Sequence, residues 1–197
     1  MVSVESERPG GELLVPTPVK IVIAGGFGTG KTTMVNAVSE IPPLHTEELL
    51  TEAGVGVDDV MGLEAKETTT VALDFGRITI NPEVVLYLFG TPGQNRFWFM
   101  WDELAYGAIG AVILVDTRRL DSSFPSIDFF ERRGIPFIIA VNCFEGAHSY
   151  EVEEVRRALD VDAAIPLVLC DARDRESAKT VLVSLIQHTM DRLDAMA

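Results

Sequence analysis

A glycine-rich segment near the start of the chain has the residue types and the spacing needed to hold phosphate groups. The segment GGFGTGKTT occupies residues 25–33, and Gly25, Gly30, Lys31 and Thr32 match the pattern G-x-x-x-x-G-K-[ST]. Glycines let successive backbone N–H groups turn inward around phosphate oxygens. A helix beginning at Lys31 would direct its positive end at the same anion. We therefore expect this loop to bind a nucleoside triphosphate.

The side chains of the loop extend this prediction to a metal ion. Lys31 can neutralise the terminal phosphates, and the Thr32 hydroxyl can bind Mg²⁺. The alternative is a glycine turn that binds nothing, but a short apolar run before the loop and a helix-like segment after it match the structural context of the motif. The residues expected to bind nucleotide here are Gly25, Gly26, Phe27, Gly28, Thr29, Gly30, Lys31, Thr32 and Thr33.

Four further segments place polar residues at or near the ends of other apolar runs. They are TTTVALDFGRITI (68–80), LFGTPGQNRF (88–97), FIIAVNCFEG (137–146) and LCDAR (169–173). In this order and spacing, and together with the glycine loop, they resemble the motifs of small Ras-like GTPases. The resemblance extends from residue 19 to about residue 195, which is nearly the whole chain.

The resemblance implies roles for five residues of these four segments. Gly93 matches the glycine whose amide contacts the γ-phosphate, and Gln94 matches the glutamine that orients the attacking water. Thr70 lies where these proteins place a Mg²⁺-sensing threonine. Asn142 matches the asparagine of the base motif, and Ala172 the residue whose amide binds the guanine carbonyl. The predicted catalytic residues are thus Gln94 and Lys31, and the predicted metal ligands are Thr32 and Thr70.

The base-binding segments depart from the family pattern. Cys143 occupies the position of the usual lysine and Glu145 that of the usual aspartate. A carboxylate at residue 145 can accept hydrogen bonds from the guanine N1–H and N2–H₂ groups. Because the extra methylene of glutamate shifts this carboxylate, we expect the preference for guanine to survive in weakened form. The alternative is that Glu145 is a solvated loop residue. Asp171 and Arg173, on either side of Ala172, complete the predicted nucleotide-binding set.

Other departures indicate a particular branch of the family. Gly90 stands where an aspartate usually follows the strand, and Pro92 replaces an alanine. The combination TPGQ…VNCF resembles the bacterial MglA-like GTPases, closest to those encoded in actinobacterial conservons. That resemblance implies a roadblock-type regulator and a sensor-kinase-like protein as partners. Without a carboxylate at residue 90 we expect looser Mg²⁺ binding, unless Asp74 or Asp116 substitutes through water.

Arginine is scarce near the expected γ-phosphate. No arginine precedes Thr70 in the first switch region, and Arg96 is the nearest candidate in sequence to Gln94. A surface helix charge is the plainer interpretation of Arg96. Because an arginine finger can accelerate hydrolysis by roughly 10³–10⁵-fold, we expect slow intrinsic hydrolysis and an activating partner.

Two segments could form partner surfaces. Residues 40–67 carry eight acids and one base, a net charge of −7, which suits either a mobile switch surface for a basic partner or a solvated loop. After Gln94, five of the chain's fifteen aromatic residues lie within ten positions. Core packing is the simplest interpretation of this cluster, whereas an exposed Trp98 would serve as an interface anchor.

The elements that must position these residues alternate between strand-like and helix-like. Six short, mostly apolar runs predict strands, and the segments between them predict helices. This alternation predicts an α/β, three-layer P-loop NTPase (Ras-like) fold, a mostly parallel six-stranded sheet with helices on both faces. Residues 1–17 are expected to form a flexible arm, and residues 18–197 the GTP-binding domain.

Composition excludes several functional classes. The net charge of −14 and the pI near 4.5 argue against nucleic-acid binding and against binding to anionic membranes. Cys143 and Cys170 fit no metal spacing, and with no secretory signal or membrane-spanning stretch we expect a cytoplasmic monomer or regulator-bound complex, reaching a membrane only through a partner. The sequence favours a GTP/GDP switch, with a nucleotide-loaded scaffold without turnover as the alternative. Gln94 in its PGQ turn argues against a third function, an ATP-using small-molecule kinase.

Overall fold

The computed structural model describes residues 15–42, 44–50, 69–93 and 95–195, in which strands and helices alternate. The strands are β1 (Thr17–Gly25), β2 (Leu44–Leu50), β3 (Thr69–Asn81), β4 (Val84–Gly90), β5 (Ala108–Val115), β6 (Phe137–Asn142) and β7 (Leu167–Cys170). The α-helices are α1 (Lys31–Val38), α2 (Trp101–Ala105), α3 (Phe124–Arg133), α4 (Val152–Leu159) and α5 (Arg175–Asp194). Short 3-10 helices, Asn95–Met100 and Leu120–Ser123, precede α2 and α3.

Within the described ranges all the strands join one sheet. Its order is β2-β3-β4-β1-β5-β6-β7. The five strands from β4 to β7 in this order run parallel, whereas β3 is antiparallel to β4 and β2 is antiparallel to β3. The carboxyl ends of the parallel strands therefore meet at one edge, where open α/β sheets bind their ligands.

The sheet is the middle of three layers, and β1 shows how the layers are built. Successive strand side chains point to opposite faces. Ile21 and Ile23 are fully buried in the apolar cluster that contains residues of α1 and α5. Val22 and Ala24 are equally buried in the cluster that contains residues of α2, α3 and α4. None of the helices in the described part of the chain has the length and apolar character needed to cross a bilayer.

The predicted fold class is confirmed, with one addition at the edge of the sheet. All six predicted strands are present, and β2 is a further, antiparallel strand within the acidic segment 40–67. An edge strand pairs on one side only and accepts charged side chains. Glu47 and Glu48 interrupt the apolar pattern of residues 44–50, so the sequence did not predict this strand. Residues 51–68 lie outside the described residues, and the division between a 1–17 arm and an 18–197 domain stays a prediction.

The aromatic segment after residue 94 divides between core and surface. Phe97 and Trp101 are buried as their shared helical face predicts. Trp98 is 63% exposed, and Phe99 and Tyr106 are also exposed, so core packing of the whole cluster was wrong. The predicted helix over 94–106 is wrong in its first half, because the backbone forms a 3-10 helix with non-helical angles at Phe97.

Candidate functional site

The glycine loop joins β1 to α1 at the carboxyl edge of the sheet. Its backbone has positive φ angles at Gly25, Gly28 and Gly30 (133°, 75° and 103°), and residues other than glycine rarely adopt such angles. A Cβ atom at Gly25 would also lie 2.3 Å from the carbonyl oxygen of Leu114 on β5. The loop conformation thus requires glycine at these positions.

Lys31 lies across the loop that precedes it. Its Nζ donates hydrogen bonds to the carbonyl oxygens of Gly25 (2.9 Å) and Gly26 (2.6 Å), and the residue is 7% exposed. Burial lowers the pKa of Lys31 to about 8, and the nearby Asp74 carboxylate opposes this shift. An anion bound beside Lys31 would therefore stabilise its charged form.

Two oxygen-bearing side chains, those of Thr32 and Asp74, meet beside the start of α1. Thr32 Oγ1 donates a 2.6 Å hydrogen bond to Asp74 Oδ2, a carboxylate supplied by β3. Asp74 is paired directly with Gly90 on β4. A Cβ atom at Gly90 would lie 2.9 Å from Asp74 Cβ and 3.0 Å from Asp74 Oδ2. The Asp74 carboxylate therefore fills the space that a side chain at residue 90 would need.

Asp116, the other candidate for replacing the missing aspartate, is occupied elsewhere. Its two carboxylate oxygens accept hydrogen bonds from Nε and Nη2 of Arg118 at 2.9 and 2.8 Å. The Arg118 hydrogen bond lowers the pKa of this buried carboxyl below its usual value. Of the two aspartates left open by the sequence, Asp74 is the one in contact with Thr32.

Asn142 connects the three loops of the site. It ends β6, where its Oδ1 accepts a hydrogen bond from the Ala172 N–H and its Nδ2 donates to the Thr29 carbonyl, both at 3.0 Å. The Ser177 hydroxyl accepts a 2.9 Å hydrogen bond from the Asp171 N–H, which fixes the loop after β7 to the start of α5. The glycine loop, the 142–145 segment and the 171–173 segment are therefore held together.

A cavity of about 160 Å³ lies where these loops meet. Its lining residues are Gly28, Gly30, Thr33, Asn142, Cys143, Phe144, Glu145, Asp171 and Arg173. Eight of these nine residues were predicted from the sequence to bind nucleotide, and Phe144 was missed. The structure therefore brings the phosphate-binding and base-binding predictions together at one place.

Charged groups surround the outer end of this cavity. The Arg173 guanidinium donates to both oxygens of Asp171 (2.9 and 2.8 Å), and this lowers the pKa of Asp171 to about 2. Arg173 Nη1 also lies 3.8 Å from Glu145 Oε2, while the Glu145 side chain is 91% exposed. Arg118 lies over the Phe144 ring, 4.0 Å from its centroid. Glu145 thus lies at the exposed rim of the cavity.

The predicted catalytic turn is only partly described. Gly93 abuts the loop, since a Cβ atom there would lie 2.8 Å from both Lys31 Nζ and Phe27 Cα. Gln94 lies outside the described residues, and the side chains of Thr70 and Arg96 lie outside them as well. The roles of these three residues stay predictions.

Two arginines that the sequence did not single out border the site. Arg118 and Arg119 follow β5 in the turn that begins at Asp116, and Arg119 Nη2 donates to the Phe27 carbonyl oxygen at 3.0 Å. Phe27 is 92 positions away in sequence, so spacing carried no sign of this contact. Only the adjacency of β1 and β5 in the sheet brings the two residues together.

Comparison with known proteins identifies the family of this chain. Residues 23–192 match the model of a family described as "Conserved hypothetical ATP binding protein". The chain is also 29% identical, over 126 residues, to an uncharacterized protein of Methanocaldococcus jannaschii; the match covers 63% of this chain and 69% of that protein.

Solved structures show the same architecture. The G domain of the T. maritima FeoB iron transporter matches with a TM-score of 0.60 and 18% identity, over 87% of this chain and 99% of that domain. The cytosolic domain of the same transporter in a GDP form matches with a TM-score of 0.62 and 17% identity, over 89% of this chain and 64% of that one. At this identity the likeness shows the fold alone. Because the family model covers most of the chain, the protein belongs to the family of conserved hypothetical ATP binding proteins and has the fold of the P-loop GTPase G domains.

Proposed function

We propose that this protein is a Mg²⁺-dependent GTP-binding switch that hydrolyses GTP to GDP slowly. The observation that carries the proposal is the single cavity in which the glycine loop meets the Asn142 and Ala172 segments. A phosphate-binding loop alone fits many nucleotide-using proteins. Here that loop meets the 142–145 and 171–173 segments, which carry the carboxylates of Glu145 and Asp171. This junction supports a protein that also distinguishes the nucleotide base.

The phosphate groups would bind on the glycine loop. Lys31 now donates to the carbonyls of Gly25 and Gly26, and phosphate oxygens are stronger partners for its ammonium because they carry charge. Gly93 lies against Lys31 and Phe27, and its N–H would donate to the third phosphate. Loss of that phosphate on hydrolysis would remove one partner of the turn, which is how GTPase switches change order.

The metal would bind beside Thr32 and Asp74. A hydroxyl and a carboxylate joined by a 2.6 Å hydrogen bond offer the oxygen ligands that Mg²⁺ prefers. Among the described residues no group of three or more His, Cys, Asp and Glu side chains could hold a metal. The phosphates and water would therefore complete the coordination. Bound there, Mg²⁺ would neutralise phosphate charge, and Thr70 remains a predicted further ligand.

The base would bind between the 142–145 and 171–173 segments. Glu145 would accept the two hydrogen bonds that guanine donates from N1 and N2, whereas adenine presents an acceptor at N1 and gives the carboxylate no such pair. Asn142 would hold the Ala172 N–H and the loop in place. The description of the family as ATP-binding makes adenine the competing base, so selectivity must be measured rather than assumed.

The remaining finer assignments rest on sequence motifs. The TPGQ and VNCF segments support the MglA-like, conservon-type branch. Through that branch we propose a roadblock-type regulator and a sensor-kinase-like protein as partners. The protein would then be cytoplasmic and would contact a membrane through a partner. A nucleotide-loaded scaffold without turnover is the second candidate. It is favoured by Cys143, which cannot supply the aliphatic stem that the usual lysine lays over the base.

The test measures binding and hydrolysis of GTP and ATP separately, on the purified protein with Mg²⁺. Lys31→Ala and Gln94→Leu are the site variants, and Lys179→Ala, an exposed lysine on α5 paired with Glu176, is the matched control. The switch predicts selective GTP binding that is lost in Lys31→Ala, and turnover that is lost in Gln94→Leu. Binding without turnover would favour the scaffold. Preferential use of ATP would refute the guanine assignment.

A further inference from the structure

Arg119 comes from outside every predicted motif and reaches the glycine loop. Its Nη2 donates a 3.0 Å hydrogen bond to the Phe27 carbonyl oxygen. A Cβ atom at Gly28 would lie 3.1 Å from the same nitrogen. The guanidinium therefore lies against the middle of the loop, and its side chain is about half exposed.

The two arginines of this turn are held differently. Arg118 makes a bidentate pair with Asp116, at 2.9 and 2.8 Å. Arg119 lies 3.6 Å from Asp116 Oδ2, beyond hydrogen-bonding distance. A guanidinium has five N–H donors, and the contacts described for Arg119 engage one of them in a hydrogen bond. Arg119 thus keeps donors for a further acceptor, whereas the bidentate pair with Asp116 and the contact with the Phe144 ring fix the Arg118 guanidinium away from the glycine loop.

Arg119 and Lys31 both donate hydrogen bonds to backbone carbonyls of the glycine loop. Lys31 Nζ donates to the carbonyls of Gly25 and Gly26, and Arg119 donates to the next carbonyl, that of Phe27. Two cations therefore lie on three consecutive carbonyl oxygens of one loop. Gly93 approaches the Phe27 backbone, with a potential Cβ only 2.8 Å from Phe27 Cα. Phe27 lies between the turn expected to meet the third phosphate and the Arg119 guanidinium.

We propose that Arg119 supplies, from within the same chain, the arginine that contacts the terminal phosphates of bound GTP and stabilises the charge that develops during hydrolysis. This inference rests on the proposed function, and it departs from the expectation, drawn from the sequence, that an activating partner supplies the arginine. In that reaction a water oxygen forms a bond to the γ-phosphorus while the bond from the γ-phosphorus to the bridging oxygen breaks. The bridging oxygen leaves with the electron pair as part of GDP, and the protons of water pass to the phosphate product and solvent. Arg119 stays protonated throughout and acts only by charge and hydrogen bonding.

The test compares Arg119→Ala with Arg132→Ala, an exposed arginine on α3 that pairs with Asp128. Single-turnover GTP hydrolysis and affinities for GDP and for GTPγS are measured for both, with formation of the GDP–aluminium fluoride complex as a readout independent of turnover. We expect Arg119→Ala to slow hydrolysis by roughly 10²-fold or more, since an arginine in this role is worth roughly 10³–10⁵-fold. It should also weaken GTPγS and aluminium fluoride binding while GDP affinity changes little. Arg119→Lys should restore only part of the rate, because a lysine cannot donate two hydrogen bonds in a planar arrangement.

Two outcomes would overturn the inference. Unchanged hydrolysis in Arg119→Ala would do so, and so would an equal loss of GDP and GTPγS affinity, which would show that Arg119 only supports the loop. A wild-type protein that binds GTPγS but does not hydrolyse GTP would refute the proposed turnover. The GTPγS-to-GDP affinity ratio of Arg119→Ala would then still decide the contact, and a ratio equal to that of wild type would refute it.

Discussion

The pairing of Asp74 with Gly90 leads to the sharpest prediction of this structure. The small Ras-like GTPases that this sequence resembles carry an aspartate at the position where this chain has Gly90. Here a carboxylate fills the same space from the neighbouring strand, 2.6 Å from the Thr32 hydroxyl. We therefore predict that Asp74 takes over the support of Mg²⁺ and its water ligands, which removes the reason for expecting loose metal binding.

The perturbation is Asp74→Asn, which keeps the size of the side chain and removes its charge. Loss of a residue that supports a metal site lowers metal affinity by roughly 10–100-fold, which corresponds to about 1.4–2.8 kcal/mol. The assay titrates Mg²⁺ against the release rate of a fluorescent GDP analogue. Asp128→Asn, a loss of the same charge on the exposed face of α3, is the control.

A relocation variant separates this role from a general loss of charge. Gly90→Asp alone should destabilise the fold, because its Cβ would lie 2.9 Å from Asp74 Cβ. Asp74→Gly alone should bind Mg²⁺ weakly. The double variant Asp74→Gly with Gly90→Asp returns a carboxylate to the shared space and should recover most of the Mg²⁺ affinity. Wild-type Mg²⁺ affinity in Asp74→Asn would refute this reasoning.

Three further predictions concern the rim of the site and the surface. Glu145→Ala should lower the selectivity for GTP over ATP without unfolding the protein, since the side chain is 91% exposed; unchanged selectivity in competition binding would remove Glu145 from base recognition. Trp98→Ala should leave the thermal unfolding midpoint nearly unchanged, whereas Trp101→Ala should cost about 3–5 kcal/mol, because Trp98 is 63% and Trp101 5% exposed; if Trp98 anchors a partner, its loss should weaken partner binding alone. At pH 8, iodoacetamide should alkylate exposed Cys143 and spare Cys170 in the folded protein, because burial raises the pKa of Cys170 to about 12 and keeps its thiol protonated. GDP should protect Cys143, since this residue lines the cavity, and equal alkylation rates with and without GDP would argue against a base bound there.

Local patterns in the sequence predicted most of the fold and the core of the site. The glycine loop was recognisable because its backbone needs positive φ at fixed positions and Lys31 follows the glycines at a fixed spacing. The apolar runs of the inner strands were equally clear, because strands buried on both faces need continuous apolar residues. The edge strand Leu44–Leu50 was missed, since one-sided pairing makes no such demand.

The sequence by itself showed segments that resemble, in order and spacing, the phosphate-binding loop, the γ-phosphate turn and the base motif of small Ras-like GTPases. It could name Asp74 and Asp116 as replacements for the missing aspartate but could not choose between them. The choice depends on the register of β3 against β4, which sets Asp74 opposite Gly90, and on the Arg118 pair that occupies Asp116. Such long-range contacts depend on which strands are neighbours, and no short-range spacing encodes that. For the same reason sequence proximity could offer only Arg96, with a surface charge as its plainer interpretation, whereas the packing of β5 beside β1 brings Arg119 to the loop.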